Sequence, residues 1–110
     1  MSESDLTLRE AQRRVDAWIS QHQAGYWPPL ANLARLIEES GELARLLNHL
    51  EGRKPKKAGE PEQDLGLELA DIVFTVICLA NSYQIDLDDA FRRVLRKIET
   101  RDAQRYPRKE

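Results

Sequence analysis

Apolar residues recur every three or four positions along most of this chain, which is the spacing of one side of an α-helix. The pattern predicts four helices, over about 7–25, 30–50, 62–83 and 86–98. Recognised signals mark their ends, since Thr7 and Glu10 have capping-box spacing at the start of the first helix. Gly52 can end the second helix and Asp86 can cap the fourth.

The third predicted helix is apolar on most of its faces and is therefore expected to be the most buried element. The β-branched run from Ile72 to Ile77 could also suit a strand, but the flanking periodicity and the length of the segment favour a helix. The expected core stripes are Leu65, Leu69, Ile72, Val76 and Leu79 in the third helix, and Leu33, Leu36, Ile37, Leu43 and Leu47 in the second. Trp18 is expected in the core stripe of the first helix.

These elements predict an all-α fold, a four-helix antiparallel bundle that is oligomeric. A chain of 110 residues suits a single domain with one modest core, spanning 1–110. The segment at about 52–61 lacks apolar anchors and is expected to be an exposed loop. Because the third helix is apolar nearly all round, part of its surface is expected to meet another subunit.

Composition narrows the functional classes. With 41% hydrophobic and 33% charged residues and a net charge of −2, the chain suits a soluble helical protein without a general attraction to nucleic acid. Its one cysteine, Cys78, excludes an internal disulfide and a thiol-based metal site. The polar start of the chain does not resemble a signal peptide, and no apolar run is expected to be long enough to cross a bilayer. We therefore expect a cytoplasmic protein without a membrane partner.

Two acidic pairs, Glu39/Glu42 and Glu68/Asp71, carry the candidate chemistry. Residues three apart on a helix project from nearly the same side, so two such pairs facing each other would form an oxygen-rich cage. Carboxylates at the border of a core are costly to desolvate unless a cation neutralises them. Oxygen ligands suit Mg²⁺, with Mn²⁺ as a substitute, and Glu38 could orient or deprotonate a water molecule there.

Other interpretations of the acidic pairs remain open at this point. Acidic residues with this spacing are most often solvated surface charge. A di-iron bundle requires Glu-x-x-His motifs, and neither His22 nor His49 follows a Glu at that distance, so this alternative is disfavoured.

The segment Glu38-Glu39-Ser40-Gly41-Glu42 is followed, after 25 intervening residues, by Glu68-Leu69-Ala70-Asp71. This order resembles the EExxE…ExxD pattern of MazG-like nucleotide pyrophosphohydrolases. The resemblance implies hydrolysis of a nucleoside triphosphate between its α- and β-phosphates, giving a monophosphate and pyrophosphate. It further implies that Glu39, Glu42, Glu68 and Asp71 are the Mg²⁺ ligands, with Glu38 in a water-positioning role.

Several other residues are candidate substrate contacts. Lys97 and Arg101, at helical spacing, could meet the phosphates, and Lys54 could do so from the loop; solvated surface charge is the alternative for all three. Candidate base contacts are Trp27, Asn32 and His49. Trp27 could instead pack the first loop on the bundle, and His49 could serve as a dipole partner at the end of its helix. MazG-like proteins often have an Asn between the C-terminal Lys and Arg, and the segment 97–101 lacks it.

The sequence thus predicts Mg²⁺-dependent hydrolysis of (deoxy)nucleoside triphosphates in nucleotide-pool cleansing, by a homodimer or homotetramer. One alternative is a non-catalytic helical interaction or regulatory module in which a metal holds the bundle together. Another, within the same superfamily, is a phosphoribosyl-ATP pyrophosphohydrolase.

Overall fold

The computed structural model describes residues 5–52, 58–59 and 63–109. Its elements, in chain order, are α1 (Leu8–Ile19), α2 (Pro29–Leu50), α3 (Leu65–Ser82) and α4 (Leu87–Arg96), followed by a π-helical segment (Lys97–Arg101). No β-strand occurs among the described residues. The prediction of an all-α fold with four helices is confirmed.

The helix ends follow the chemistry of the sequence. The Thr7 and Asp86 side chains accept backbone N–H groups of the first helical turn, as predicted, at 3.1 Å from Glu10 and 3.2 Å from Asp89. Gly52, two residues after the end of α2, has φ +74°, which a glycine adopts without steric cost.

Two helices are shorter than predicted. α1 ends at Ile19 instead of continuing to Gly25, because the chain then forms turns in which the amides of Gln21 and His22 bond to carbonyls three residues back. α3 begins at Leu65, where Asp64 supplies the cap that accepts the Leu67 amide.

α3 is the central helix and packs against both α2 and α1, while α4 packs against α1. The residues that α2 and α3 bring together show that the two helices are antiparallel. Asn32 and Arg35, early in α2, lie beside Thr75 and Cys78 in the second half of α3. Glu39, further along α2, meets Glu68 near the start of α3. The acidic pairs of the two helices therefore lie at the same level of the bundle.

A polar network joins α1, α3 and the start of α4. Buried Gln12 donates to the Asn81 side-chain oxygen at 2.9 Å and to the Ile85 carbonyl at 2.7 Å, and it accepts the Leu87 amide at 2.9 Å. The Asn81 amide donates in turn to the Gln12 carbonyl at 3.1 Å and to the Tyr26 hydroxyl at 2.9 Å. These five hydrogen bonds pair polar groups of both the backbone and the side chains in a part-buried region, where unpaired groups would be costly.

The buried sides of α2 and α3 differ from the predicted stripes. In α2 the buried residues are Asn32 and Leu46, whereas Ile37 is 65% exposed. The predicted stripe residues Leu33, Leu47, Leu69 and Val76 are exposed as well. Trp18 is also exposed, so its predicted place in the core was wrong. A polar row of α2, consisting of Asn32, Arg35 and Glu39, therefore faces inward and much of the apolar stripe faces outward, because the inner side holds the candidate site.

The expectation that no apolar run is long enough to cross a bilayer was wrong for α3. With 18 residues and a mean hydropathy of 1.6, it is long and apolar enough to cross a bilayer by those two criteria. The same criteria are met by core helices of soluble proteins, and α3 packs against two other helices while carrying Glu68 and Asp71. This is weak evidence for a membrane protein.

Candidate active site

Three carboxylates converge between α2 and α3. Glu39, Glu42 and Glu68 each place one oxygen so that the three atoms lie within 4.8 Å of one another. The first two come from one side of α2, three residues apart, and the third comes from the facing turn of antiparallel α3. Residues distant in sequence thus form the oxygen-rich cluster that the spacing predicted.

Two buried oxygens of the cluster lack hydrogen-bond partners. These are the Oε2 atoms of Glu39 and Glu68, which accept no hydrogen bond from any of the described residues. Burial, and then the neighbouring charges of Glu42 and Asp71, raise the pKa of the Glu39 carboxyl. Buried carboxylate oxygens without partners are energetically costly, and a divalent cation with oxygen ligands would satisfy them. The donor set fits such a metal ion.

Asp71 and Glu38 occupy the surroundings of this cluster. Asp71 is exposed and lies outside the group of three oxygens, yet it is close enough for its charge to act on Glu39. Its backbone carbonyl accepts the Thr75 hydroxyl at 3.0 Å, a bond within α3. Glu38 is exposed on α2 directly beside Glu39. The role of Asp71 as a metal ligand and the role of Glu38 in positioning water both remain predictions.

A cavity of about 350 Å³ lies next to the cluster, between the connection from α1 to α2 and the inner sides of α2 and α3. The predicted base contacts Trp27 and Asn32 both line it. Asn32 is buried, and its Nδ2 atom has no hydrogen-bond partner. Further lining residues are Trp18, His22, Tyr26, Arg35, Phe74, Thr75 and Cys78. An aromatic wall with a few polar groups is typical of a cavity for a small planar ligand.

Arg35 connects the cavity with the carboxylates. Its guanidinium lies 5.5 Å from the centre of the Trp27 ring, and its Nε atom lies 3.8 Å from Oε1 of Glu39. One side chain therefore contacts both the aromatic wall and the acidic cluster.

Tyr26 fixes the loop that carries Trp27. Its hydroxyl donates to Asp16 at 2.7 Å and accepts the Asn81 amide, which ties this loop to α1 and α3. Burial, together with the bond to Asp16, raises the pKa of Tyr26 to about 12. The hydroxyl consequently stays protonated at neutral pH and keeps donating to Asp16.

The remaining predicted contacts lie elsewhere. His49 is half-buried near the end of α2, two turns beyond Glu42. Lys97 and Arg101 lie on the π-helical segment, which continues α4 directly, whereas the acidic cluster lies between α2 and α3. Lys54 lies outside the described residues.

Sequence reasoning missed Trp18, His22 and Arg35 as residues of the site. Trp18 and His22 lie on either side of the end of α1, and their ring centres are 4.5 Å apart. Whether they line the cavity depends on the residue at which α1 ends. Arg35 had a readable signal, because it precedes Glu39 by four residues and such pairs meet on one side of a helix.

A family model for the MazG nucleotide pyrophosphohydrolase domain matches residues 28–106, which include both acidic pairs and the α2 and α3 side of the cavity. The chain belongs to the MazG nucleotide pyrophosphohydrolase family. The resemblance inferred from the EExxE…ExxD pattern is thus confirmed.

Relatives of this MazG domain agree in length and fold. The uncharacterized protein YpjD of Bacillus subtilis strain 168 is 50% identical over 107 residues, covering 97% of this chain and 96% of YpjD. A crystal structure of YpjD, described as a candidate pyrophosphatase, superposes with a TM-score of 0.78 at 48% identity, over 89% of this chain and all of that one. The Bacillus-conserved MazG protein, a nucleotide pyrophosphohydrolase, gives a TM-score of 0.76 at 43% identity, over 90% and 96% of the two chains.

Proposed function

We propose that this MazG domain hydrolyses (deoxy)nucleoside triphosphates to the monophosphate and pyrophosphate in the presence of Mg²⁺, and thereby removes unwanted nucleotides from the cytoplasmic pool. The observation that carries the proposal is the juxtaposition of a three-carboxylate cluster with an aromatic cavity, joined by Arg35. Such a layout suits a ligand with a planar base at one end and a polyphosphate at the other.

The carboxylates have distinct proposed roles. Glu39, Glu42 and Glu68 would hold Mg²⁺ between α2 and α3, with Asp71 completing the acidic ligand set. When bound, this ion neutralises phosphate charge and polarises the phosphorus centre. Glu38, exposed beside Glu39, would orient the attacking water and accept its proton.

The cavity would take the base. Trp27 offers a ring for stacking, and Asn32 offers a buried amide donor without a partner. His49 is a candidate contact from the end of α2. Lys97, Arg101 and Lys54 are the proposed phosphate contacts.

A second copy of the chain would complete the protein as a homodimer or homotetramer. The accessible surface is 9250 Å², whereas a folded monomer of 12.7 kDa is expected to expose about 6,200 Å². The exposed surface includes large apolar side chains, among them Leu30, Ile37, Val73 and Tyr83. Since Lys97 and Arg101 are exposed on the segment that continues α4, whereas the cluster lies between α2 and α3, we propose that they serve a site in the assembled oligomer.

The proposal is tested with a panel of all common and damaged ribo- and deoxynucleoside triphosphates plus phosphoribosyl-ATP, with pyrophosphate release as the readout. We expect Mg²⁺-dependent release from at least one nucleoside triphosphate, at a rate reduced at least 100-fold in Glu39→Gln. Helicity of the variant, measured by circular dichroism, should match that of the wild type.

Three results would contradict the proposal. Turnover of phosphoribosyl-ATP alone would indicate the other superfamily activity. Metal-dependent stabilisation without any turnover would indicate a structural module. Wild-type turnover by Glu39→Gln would remove Glu39 from the metal ligands.

A further inference from the structure

We propose that Arg35 is a substrate-binding residue that contacts the phosphate nearest the sugar, exchanging Glu39 for that phosphate. The inference rests on the proposed function, because it takes the base into the cavity and the polyphosphate onto the carboxylates. It assigns a contact to a residue outside the acidic motif.

The position of Arg35 is the first support. A nucleotide that reaches from the cavity to the cluster must pass the side chain that touches both, and Arg35 lies against the Trp27 ring on one side and Glu39 on the other. Among the described residues that line the cavity, Arg35 is the one that carries a permanent charge. It is therefore the positive group best placed to meet an anion entering between cavity and cluster.

The geometry of its ion pair is the second support. At 3.8 Å, the contact between Nε and Oε1 of Glu39 is too long for a hydrogen bond, so the planar fork of N–H donors remains available to a better acceptor. Phosphate oxygens match this fork in two parallel hydrogen bonds. Contact with Trp27 meanwhile holds the guanidinium plane at the aromatic wall.

A cation in the cluster would favour the exchange. Glu39 is surrounded by the charges of Glu42, Glu68 and Asp71, and among its described neighbours Arg35 supplies the opposite charge. Once a metal ion neutralises Glu39, the Arg35 guanidinium loses little interaction energy when it moves away from Glu39. It then gains two hydrogen bonds to a phosphate group.

The test uses the two tryptophans of the chain, Trp18 and Trp27, as reporters, since both line the cavity. Fluorescence titrations in EDTA measure the dissociation constants of thymidine, dTMP, deoxyguanosine and dGMP for the wild type and for Arg35→Gln and Arg35→Lys. Arg92→Gln is the matched control, because Arg92 forms a similar pair with Asp88, four residues away on the same helix, at 3.6 Å. EDTA removes any metal contribution to phosphate binding.

We expect the preference for monophosphate over nucleoside to fall about tenfold in Arg35→Gln, the size of one charge-assisted hydrogen bond, while nucleoside affinity changes less than threefold. Arg35→Lys should lose about threefold, because it keeps the charge but not the fork. Arg92→Gln should match the wild type. If Arg35→Gln does not fold, the threefold loss in Arg35→Lys decides the question.

An equal loss of nucleoside and monophosphate affinity would show that Arg35 only shapes the cavity, and unchanged affinities would also overturn the inference. Either result, with triphosphate hydrolysis intact in the wild type, leaves the proposed function standing. A wild type that binds none of the four probes and hydrolyses no triphosphate would overturn the proposed function itself.

Discussion

Glu39 shows how a residue placed for a candidate metal site can lower the stability of the folded protein. Its pKa is raised above the ordinary value of 4.5, first by burial and then by Glu42 and Asp71. A carboxyl with a raised pKa disfavours its charged form in the folded protein, so its cost is absent below pH 4.5 and grows as the pH rises through the raised pKa. Above the raised pKa the metal-free protein therefore carries the full penalty.

We predict that Glu39→Gln stabilises the metal-free protein at pH 7 by about 1 kcal/mol, because the amide removes a like charge and can donate to the remaining carboxylates. The gain should shrink as the pH approaches 4.5, where the wild-type carboxyl is protonated. Urea unfolding in EDTA measures both. Glu38→Gln, its exposed neighbour on α2, is the control and should change stability by less than about 0.5 kcal/mol. A less stable Glu39→Gln at pH 7 would refute this account.

At the scale of elements, the Gln12–Asn81 network sets how α1, α3 and α4 meet. We predict that Asn81→Leu lowers the free energy of unfolding by about 2–3 kcal/mol, because it leaves the Gln12 amide and carbonyl without their partner in a part-buried position. Ser82→Ala is the matched control at the same end of α3. Its hydroxyl donates only to the Cys78 carbonyl of its own helix, so we expect a loss under about 1 kcal/mol. Equal losses in the two variants, measured in urea, would count against the network.

The sequence predicted individual helices well and their mutual arrangement poorly. Caps such as Thr7 and Asp86 act over three residues, so they can be recognised without knowing the fold. The carboxylate cluster was also predictable, because two i, i+3 pairs need only an antiparallel partner to converge. The buried sides of α2 and α3 could not be predicted in this way. Assigning an apolar stripe to the core assumes that a single chain buries the whole stripe. The cavity was missed for a related reason, as its walls come from three separate elements.

At the scale of the whole molecule, the outward apolar stripe should govern assembly. We predict that Ile37→Glu, at a position 65% exposed in the single chain, shifts the protein toward monomer. The physical reason is that a buried charge without a partner opposes association of the two apolar surfaces. Light scattering after size-exclusion chromatography gives the mass. Ala17→Glu, on the exposed side of α1, is the control and should leave the mass unchanged. An unchanged mass for Ile37→Glu would place the interface elsewhere.

The inward polar row of α2 also has a thermodynamic consequence. A chain with carboxylates and an open cavity in its interior gains comparatively little free energy from folding alone, and we expect association with another chain to supply the difference. Its melting temperature should therefore climb with protein concentration, as mass action requires when folding and association are one equilibrium. For such a molecule, dilution alone would favour unfolding.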